Sequence, residues 1–429
     1  MSAHGYSLKD SIKQLPRNIA QSVARTEAAT AEQRRAAAIF GNVFLHVHPV
    51  RVHTNTLRAG YTLGLGLAAF YLFLILVVTG ILAMFYYTPS TQLAYRSMKD
   101  LEYAVSFGVV LRNMHRWSAH GMVAVVFLHM CRVFYTGAFK APREFNWVVG
   151  VSLLLVTLFL SFTGYLLPWD QLAFWAVTVG SNIVAYMPWL GEKVRFVLLG
   201  GNEVGQMALL RFYALHIAVL PLAAIALLSV HFWRIRKDGG LSRPRGGPGG
   251  ARREIPGSAR GAAEIGAGNP EGTYSLMAIV EGEPMAVERV PEDTVQAWPH
   301  LMLRELLVFL LVLIAVLGVS LVFNAPLEEP ANALHSPNPA KAPWYFVGIP
   351  ELVSYSALLG GIVVPTLIVL GLLLLPYLDR APNGTGVWFS PHRKLSTVVF
   401  TVFVAAMVTL ILIGQLMRGP NWSFHWPWL

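Results

Sequence analysis

The sequence predicts an all-α integral membrane protein of seven transmembrane helices, four in an N-terminal bundle and three after a linker. Three observations predict it. The 429 residues are 55% apolar and only 13% charged, a departure from soluble domains toward membrane proteins. Apolar runs lie near 66–86, 117–136, 147–168, 212–233, 303–323, 352–376 and 396–416, each close to the roughly 20 residues that a helix needs to cross about 30 Å of hydrocarbon. None has the alternating pattern of a transmembrane barrel strand. Finally, Lys and Arg concentrate in alternate connecting segments, as expected when positive loops stay cytoplasmic.

Taken in order, residues 1–65 form a cytoplasmic N-terminal segment. Its opening, MSAHGYSLKDSIKQLPRN, lacks an apolar stretch followed by a small-residue cleavage site, so no removable signal peptide is expected and the first span directs its own insertion. The stretch AEQRRAAAIFGNVF reads as an amphipathic surface helix. Residues 66–237 hold four spans. Residues 238–300 run from Asp238 into GGLSRPRGGPGG, the composition of a flexible cytoplasmic linker. Residues 301–429 hold three more spans. The Lys/Arg-rich N-terminus, GAFKAPREF turn, linker and LDRAPNGTGVWFSPHRK turn fall on the cytoplasmic side, which leaves NWSFHWPWL on the other. On that outer side, 168–210 and 324–350 are long and rich in Pro, Trp and Gly, which suggests folded lids. The net charge of +10 is then an orientation signal and an attraction for anionic lipid, and no motif supports nucleic-acid binding. Cys131, the only cysteine, leaves no basis for a disulfide or thiolate cluster within the chain and reads as a buried filler.

The histidines carry the chemistry. His115 and His129 are 14 residues apart on the second span, within about 40° of one face and separated by about 21 Å along the axis. His216 and His231 are 15 apart on the fourth, about 22 Å along the axis. One histidine in a span is usually a hydrogen-bonded packing residue. Two pairs at matching depths supply what low-spin haem iron requires, two imidazoles on opposite sides of a macrocycle, and explain why ionisable groups are tolerated there. His120 lies about 140° around the helix from His115 and reads as packing or surface. Gly66 and Gly80 repeat the 14-residue interval on the first span, as do Gly150 and Gly164 on the third, so backbone can stand aside for a flat group at both depths. Arg112, Arg132 and Arg211 are expected to pair with haem propionates. For Arg116 neither that role nor snorkelling to the surface is favoured.

These residues resemble cytochrome b of the quinol-oxidising bc complexes, particularly the cytochrome b6 plus subunit IV branch, here as one polypeptide. RNMHRWSAH, LHMCRVFYTGAFKAPRE, TGYLLPWDQLAFWAV and LLRFYALHIAVLPL carry the likeness along residues 60–238, and the last three spans are similar to subunit IV. The resemblance implies two non-covalent b-type haems. His115 and His216 would bind the low-potential haem on the positive side, and His129 and His231 the high-potential haem on the negative side. It further implies that quinol is oxidised under the outer lids. One electron would go to a Rieske iron–sulfur protein and onward to a c-type cytochrome, the other across the two haems to a negative-side quinone, contributing to proton motive force. A homodimer within a larger complex in a bacterial inner membrane is implied as well.

Two positions depart from the family pattern. Gly64 stands where the b6 branch has the cysteine that anchors an extra haem, so no covalent haem is expected. The quinol-site motif Pro-Glu-Trp-Tyr reads Ala342, Pro343, Trp344, Tyr345, and proline cannot accept a proton. Glu351, in IPELVSY, is the expected substitute, with Tyr345, Trp344 and Tyr165 as its neighbours; a Glu at a helix N-terminus is also explained by the macrodipole alone. On the negative side, Arg236, Lys237 and Asp238 could meet quinone, or simply end a basic helix. The competing readings are a linear di-haem b membrane anchor of a dehydrogenase, which would need neither outer lids nor three further spans, and a haem-free transporter with histidine proton relays.

Overall fold

Among the described residues, seven helices are long and apolar enough to cross a bilayer, at Leu65–Met84, Gly108–Tyr135, Glu144–Leu166, Gln206–Arg236, Ala297–Val322, Leu359–Leu378 and Pro391–Leu416. They are seen in a computed structural model that describes residues 48–238, 294–379 and 384–426. The expected surface helix at AEQRRAAAIFGNVF, and nearly all of the expected linker, lie outside the described residues. The chain divides into two units, residues 1–63 with 246–307, and 64–245 with 308–429.

The first unit contains a short element not foreseen from sequence. Strand β1 (Arg51–His53) pairs antiparallel with β2 (Thr294–Gln296), Arg51 opposite Gln296. Arg51 Nε donates to Thr294 Oγ1 at 3.1 Å, and His48 lies 3.0 Å from the Glu305 carboxylate. Three-residue strands carry too little periodicity to be read in a sequence.

In the second unit, α1 (Leu65–Met84) packs on α3 (Gly108–Tyr135), with the short α2 (Ala94–Tyr103) between them in sequence. Helix α3 begins nine residues before the expected start at 117. Arg112, Asn113, His115 and Arg116 depress hydropathy there, and the helix tolerates them because they are partnered. Arg112 pairs with Glu102 and donates to the Ala325 and Pro326 carbonyls at 2.7 Å each. Asn113 donates to the Ser320 carbonyl at 2.9 Å and accepts from Ala325 N at 2.8 Å. Helix α4 (Glu144–Leu166) follows, then the shorter helices α5 (Gln171–Ala185) and α6 (Gly191–Leu199). Helix α7 runs from Gln206–Ala214 through a π turn, Leu215–Val219, into Leu220–Asp238.

The later helices are α8 (Ala297–Val322), α9 (Gly348–Tyr355), α10 (the π turn Leu359–Val363 and then Val364–Leu378) and α11 (Lys394–Leu416). The span expected at 352–376 is thus two helices, broken at Ser356, whose φ of −161° and ψ of 119° are extended. The chain folds back closely enough that a Cβ on Gly360 would run into the Leu352 carbonyl, so an unbroken apolar run conceals the corner.

The two ends of the second unit are tied differently. At one, Phe134, Phe139, Trp147 and Phe400 form an aromatic core that includes Cys131. Beside it, Lys140 Nζ lies 2.6 Å from Asp379, and Arg393 lies 3.3 Å from the same carboxylate. Burial pushes the Asp379 carboxyl up, but the Lys140 hydrogen bond and the two cationic charges outweigh it and hold it below the usual range. At the other end, the LPWDQ sequence joins the two predicted lids. Asp170 caps α5 by accepting from Ala173 N at 2.9 Å and accepts from Glu328 N at 3.1 Å. Gln171 accepts from Asn332 N at 2.7 Å and donates to the His335 carbonyl. Removing both acceptors in Asp170→Ala should destabilise this junction by about 2 kcal/mol. The expected readout is faster proteolytic cleavage within 324–347 at an unchanged rate within the spans; an unchanged loop would show that the other contacts suffice.

Candidate functional site

The four predicted ligands converge as two pairs. His115 on α3 and His216 on α7 face one another with ring centroids 6.1 Å apart and planes 77° from parallel. Thr79 Oγ1 donates to the Ile75 carbonyl at 2.7 Å and lies 2.9 Å from His115 Nδ1. The hydroxyl hydrogen is therefore committed, and Nδ1 of His115 is assigned the N–H. His216 Nδ1 lies 3.1 Å from the Leu160 carbonyl, an acceptor only, so it too is assigned the N–H. Both rings then keep the unshared pair at Nε2, the arrangement by which an outer hydrogen bond orients a metal-ligating imidazole. Two metal–nitrogen bonds of about 2 Å, plus about 1 Å from each nitrogen to its ring centre, sum to about 6 Å. The observed separation fits one iron between the rings.

At the other depth, His129 and His231 interact electrostatically. His129 Nδ1 is buried without a partner of hydrogen-bond geometry among the described residues, and the His231 ring interacts with the Asn146 backbone. Two buried imidazoles close enough to interact suit the same ligand chemistry.

The glycines expected from their interval sit at the histidines. A Cβ built on Gly66 would lie 3.0 Å from His129 Cε1, on Gly80 3.2 Å from His115 Cε1, on Gly150 3.9 Å from His231 Cε1, and on Gly164 2.5 Å from His216 Cε1. Each glycine serves the histidine at its own depth. The π turn accounts for the unequal histidine intervals. It contains His216 and takes up one residue, so 15 positions along α7 turn the chain by about as much as 14 along α3. A sequence gives the odd interval but not the bulge that absorbs it.

The arginines differ among themselves. Arg112, expected at a propionate, is engaged by Glu102 and two carbonyls. Arg211 donates to the Val197 carbonyl, and Arg132 is buried one turn from His129. At the C-terminal end of α7, Asp238 pairs with Arg234 at 2.8 Å.

A second cluster forms under the lids. The Arg116 guanidinium lies 5.0 Å from the centre of the Tyr165 ring, and its Nε donates to His120 Nε2 at 2.9 Å. Trp344 Nε1 donates to His120 Nδ1 at 3.0 Å, and the Tyr345 ring is 5.4 Å from the His120 ring. Burial raises the Tyr345 phenol, while Arg116 and a hydrogen bond with Ser161 oppose that shift. Trp344, Tyr345 and Tyr165 thus come together as expected, around two residues that sequence reasoning had set aside. The 140° offset that removed His120 from the haem set turns it toward this loop.

Glu351 belongs to a different group. It is 0% exposed and receives Arg418 Nε at 2.9 Å and Nη2 at 2.6 Å, the Tyr355 hydroxyl at 3.0 Å and Trp422 Nε1 at 3.1 Å. The hydrogen bond from Arg418, against the opposing effect of burial, holds its carboxyl below the usual range, helped by Tyr355 and Trp422.

Residues 51–239 match the family described as cytochrome b/b6/petB, and 330–425 the family described as cytochrome b(C-terminal)/b6/petD. Cytochrome b6 of Heliobacterium modesticaldum is 45% identical over 192 residues, covering 45% of this chain and 88% of that protein. Cytochrome b6 of Synechocystis is 46% identical over 167 residues, covering 39% and 75%. A solved chain titled hyperthermophilic respiratory Complex III shares the fold with a TM-score of 0.65 at 23% identity, over 96% of this chain and 92% of that one. With paired histidines at two depths, a glycine beside each, and the family's N-terminal and C-terminal parts in a single polypeptide, the chain belongs to the cytochrome b/b6 family.

Proposed function

We propose that the chain is the cytochrome b subunit of a quinol:cytochrome c oxidoreductase, or of a relative with another high-potential acceptor. The observation that carries this reading is the joint presence of two histidine pairs and a separate aromatic cluster under outer loops that are latched together. A simple conduit for electrons needs the first and not the second. His115 with His216, and His129 with His231, would hold two b haems, with Gly80, Gly164, Gly66 and Gly150 admitting them. Haem bound at these positions supplies one-electron carriers at two depths in the membrane. Arg112, Arg132 and Arg211 are the cations that would pair with propionates, each in exchange for a present contact.

Trp344, Tyr345 and Tyr165 line the proposed quinol site. The aromatic walls exclude water and bind the ring, and the latched lids fix their positions. Quinol oxidised there would send one electron to a Rieske iron–sulfur protein, and through it to a c-type cytochrome, and the other toward a negative-side quinone. Moving one charge across the membrane involves about 2.3 kcal/mol per 100 mV, so such a split conserves redox energy as membrane potential. The setting is a bacterial inner membrane with the N-terminus cytoplasmic, in a homodimeric complex.

The test is haem b absorbance in membranes containing quinol, with negative-side reoxidation blocked, on a pulse of oxidant. Transient haem reduction is expected, because removal of one quinol electron forces the second onto the low-potential path. Oxidation alone would instead identify a linear di-haem anchor, the reading that the proline at 343 would then support.

A further inference from the structure

We propose that His120 accepts a proton released by quinol, in place of the carboxylate absent at Pro343; the inference rests on the quinol-site reading above. Two alternatives are disfavoured by geometry. Proline offers no basic atom, and the hydrogen bonds to the Glu351 carboxylate come from Arg418, Tyr355 and Trp422. None of these belongs to the cluster around Trp344 and Tyr345. His120 touches both of those residues.

The surroundings of the ring are specific. From its own helix come Arg116 and Trp117, whose ring centre is 5.4 Å away. From α4 come Tyr165 under the Arg116 guanidinium and Ser161 beside Tyr345. From the outer loop come Trp344 and Tyr345. Asp170, at the cap of α5, interacts with Arg116. Both ring nitrogens of His120 are approached by N–H donors, yet a neutral imidazole has one unshared pair and one N–H. Whichever tautomer forms, one donor lacks its acceptor. The charge-assisted bond from Arg116 is the stronger of the two and assigns the unshared pair to Nε2.

A quinol hydroxyl would replace Arg116 as the donor at Nε2, with Nδ1 still facing Trp344. Its oxygen takes the Arg116 N–H while its own hydrogen points at Nε2, so the hydroxyl enters between the two side chains. On oxidation the quinol O–H bond breaks, the proton forms an N–H bond at Nε2, and the electron leaves to the high-potential iron–sulfur protein of the proposed complex. The Arg116 charge keeps the resulting imidazolium short-lived, and its proton passes to water at the outer surface. The ring then returns to its acceptor form.

The experiment compares the complete complex with His120→Gln and His120→Ala variants. Quinol oxidation in His120→Gln should fall by about 100-fold or more, the range for loss of a positioned general base, with both haems retained and spectrally unchanged. The acid limb of the pH–rate profile should disappear with it, and added imidazole should partly restore His120→Ala. Turnover within about threefold of the unaltered complex, an unchanged acid limb, or loss of haem from both variants would overturn the proposal. Absence of oxidant-induced haem reduction in the unaltered complex would instead remove the quinol-site reading itself.

Discussion

Gly164→Val is expected to abolish haem binding between His115 and His216 while leaving the His129 and His231 site occupied, so that haem per chain falls from two to one. The reason is distance. A Cβ on Gly164 would lie 2.5 Å from His216 Cε1 and 3.0 Å from its Nδ1, closer than carbon atoms pack in protein interiors. His216 cannot simply retreat, because its Nδ1 is held by the Leu160 carbonyl at 3.1 Å with Thr163 Oγ1 at 3.3 Å. Either the ring leaves its place opposite His115 or α4 moves away from α7, and both separate the histidine pair. Overpacking of this kind typically costs 1–3 kcal/mol in fold stability, small enough for the protein to insert while the ligand geometry fails.

The four glycines also give an ordered series. Alanine at Gly150, with 3.9 Å to the nearest His231 atom, should leave both haems bound. Gly80 at 3.2 Å and Gly66 at 3.0 Å should weaken their sites, and Gly164 should be the most sensitive. Haem quantified against protein in each purified variant checks the order. Equal tolerance at Gly150 and Gly164 would mean that these glycines serve helix packing rather than the prosthetic group.

The histidine pairs were readable in advance because helical geometry converts an interval into a direction and a depth. The same arithmetic, asked only which residues meet His115, set His120 aside; its partner lies on an outer loop 224 residues away. The break at Ser356 was hidden because apolar character continues on both sides of it. Arg112 shows the limit from another direction. Its position near a histidine is visible in sequence, whereas its engagement by Glu102 and two carbonyls depends on the end of α8 arriving beside α3. Glu351 is similar: its place beside an aromatic motif is local, but the arginine that claims it follows α11, 67 residues later.

Glu351→Gln should destabilise the outer end of the C-terminal helices by about 3 kcal/mol, at the low end for breaking a buried ion pair because Arg418 keeps 13% of its side-chain surface exposed. The substitution removes the charge that satisfies two guanidinium donors and leaves Arg418 uncompensated. Its pH dependence follows from the depressed carboxyl. Glu351 binds its proton less readily in the folded chain, so its stabilisation is fully present above the unfolded glutamate value of about 4.3. It is lost as pH falls through the lower folded value. The single variant should therefore lack this acid-dependent loss of stability. A double variant, Glu351→Leu with Arg418→Met, separates anchoring from proton transfer, since replacing a buried pair by apolar side chains is often neutral or stabilising. If Glu351 is an anchor, the double variant recovers both thermal stability and quinol oxidation. If its carboxylate takes a quinol proton, as its place after the altered motif led us to expect, stability returns and turnover does not. The interactions favour recovery of both, because a carboxylate held ionised by a bidentate arginine, a tyrosine and a tryptophan must break those bonds to accept a proton, whereas the imidazole of His120 needs only to exchange one donor for another.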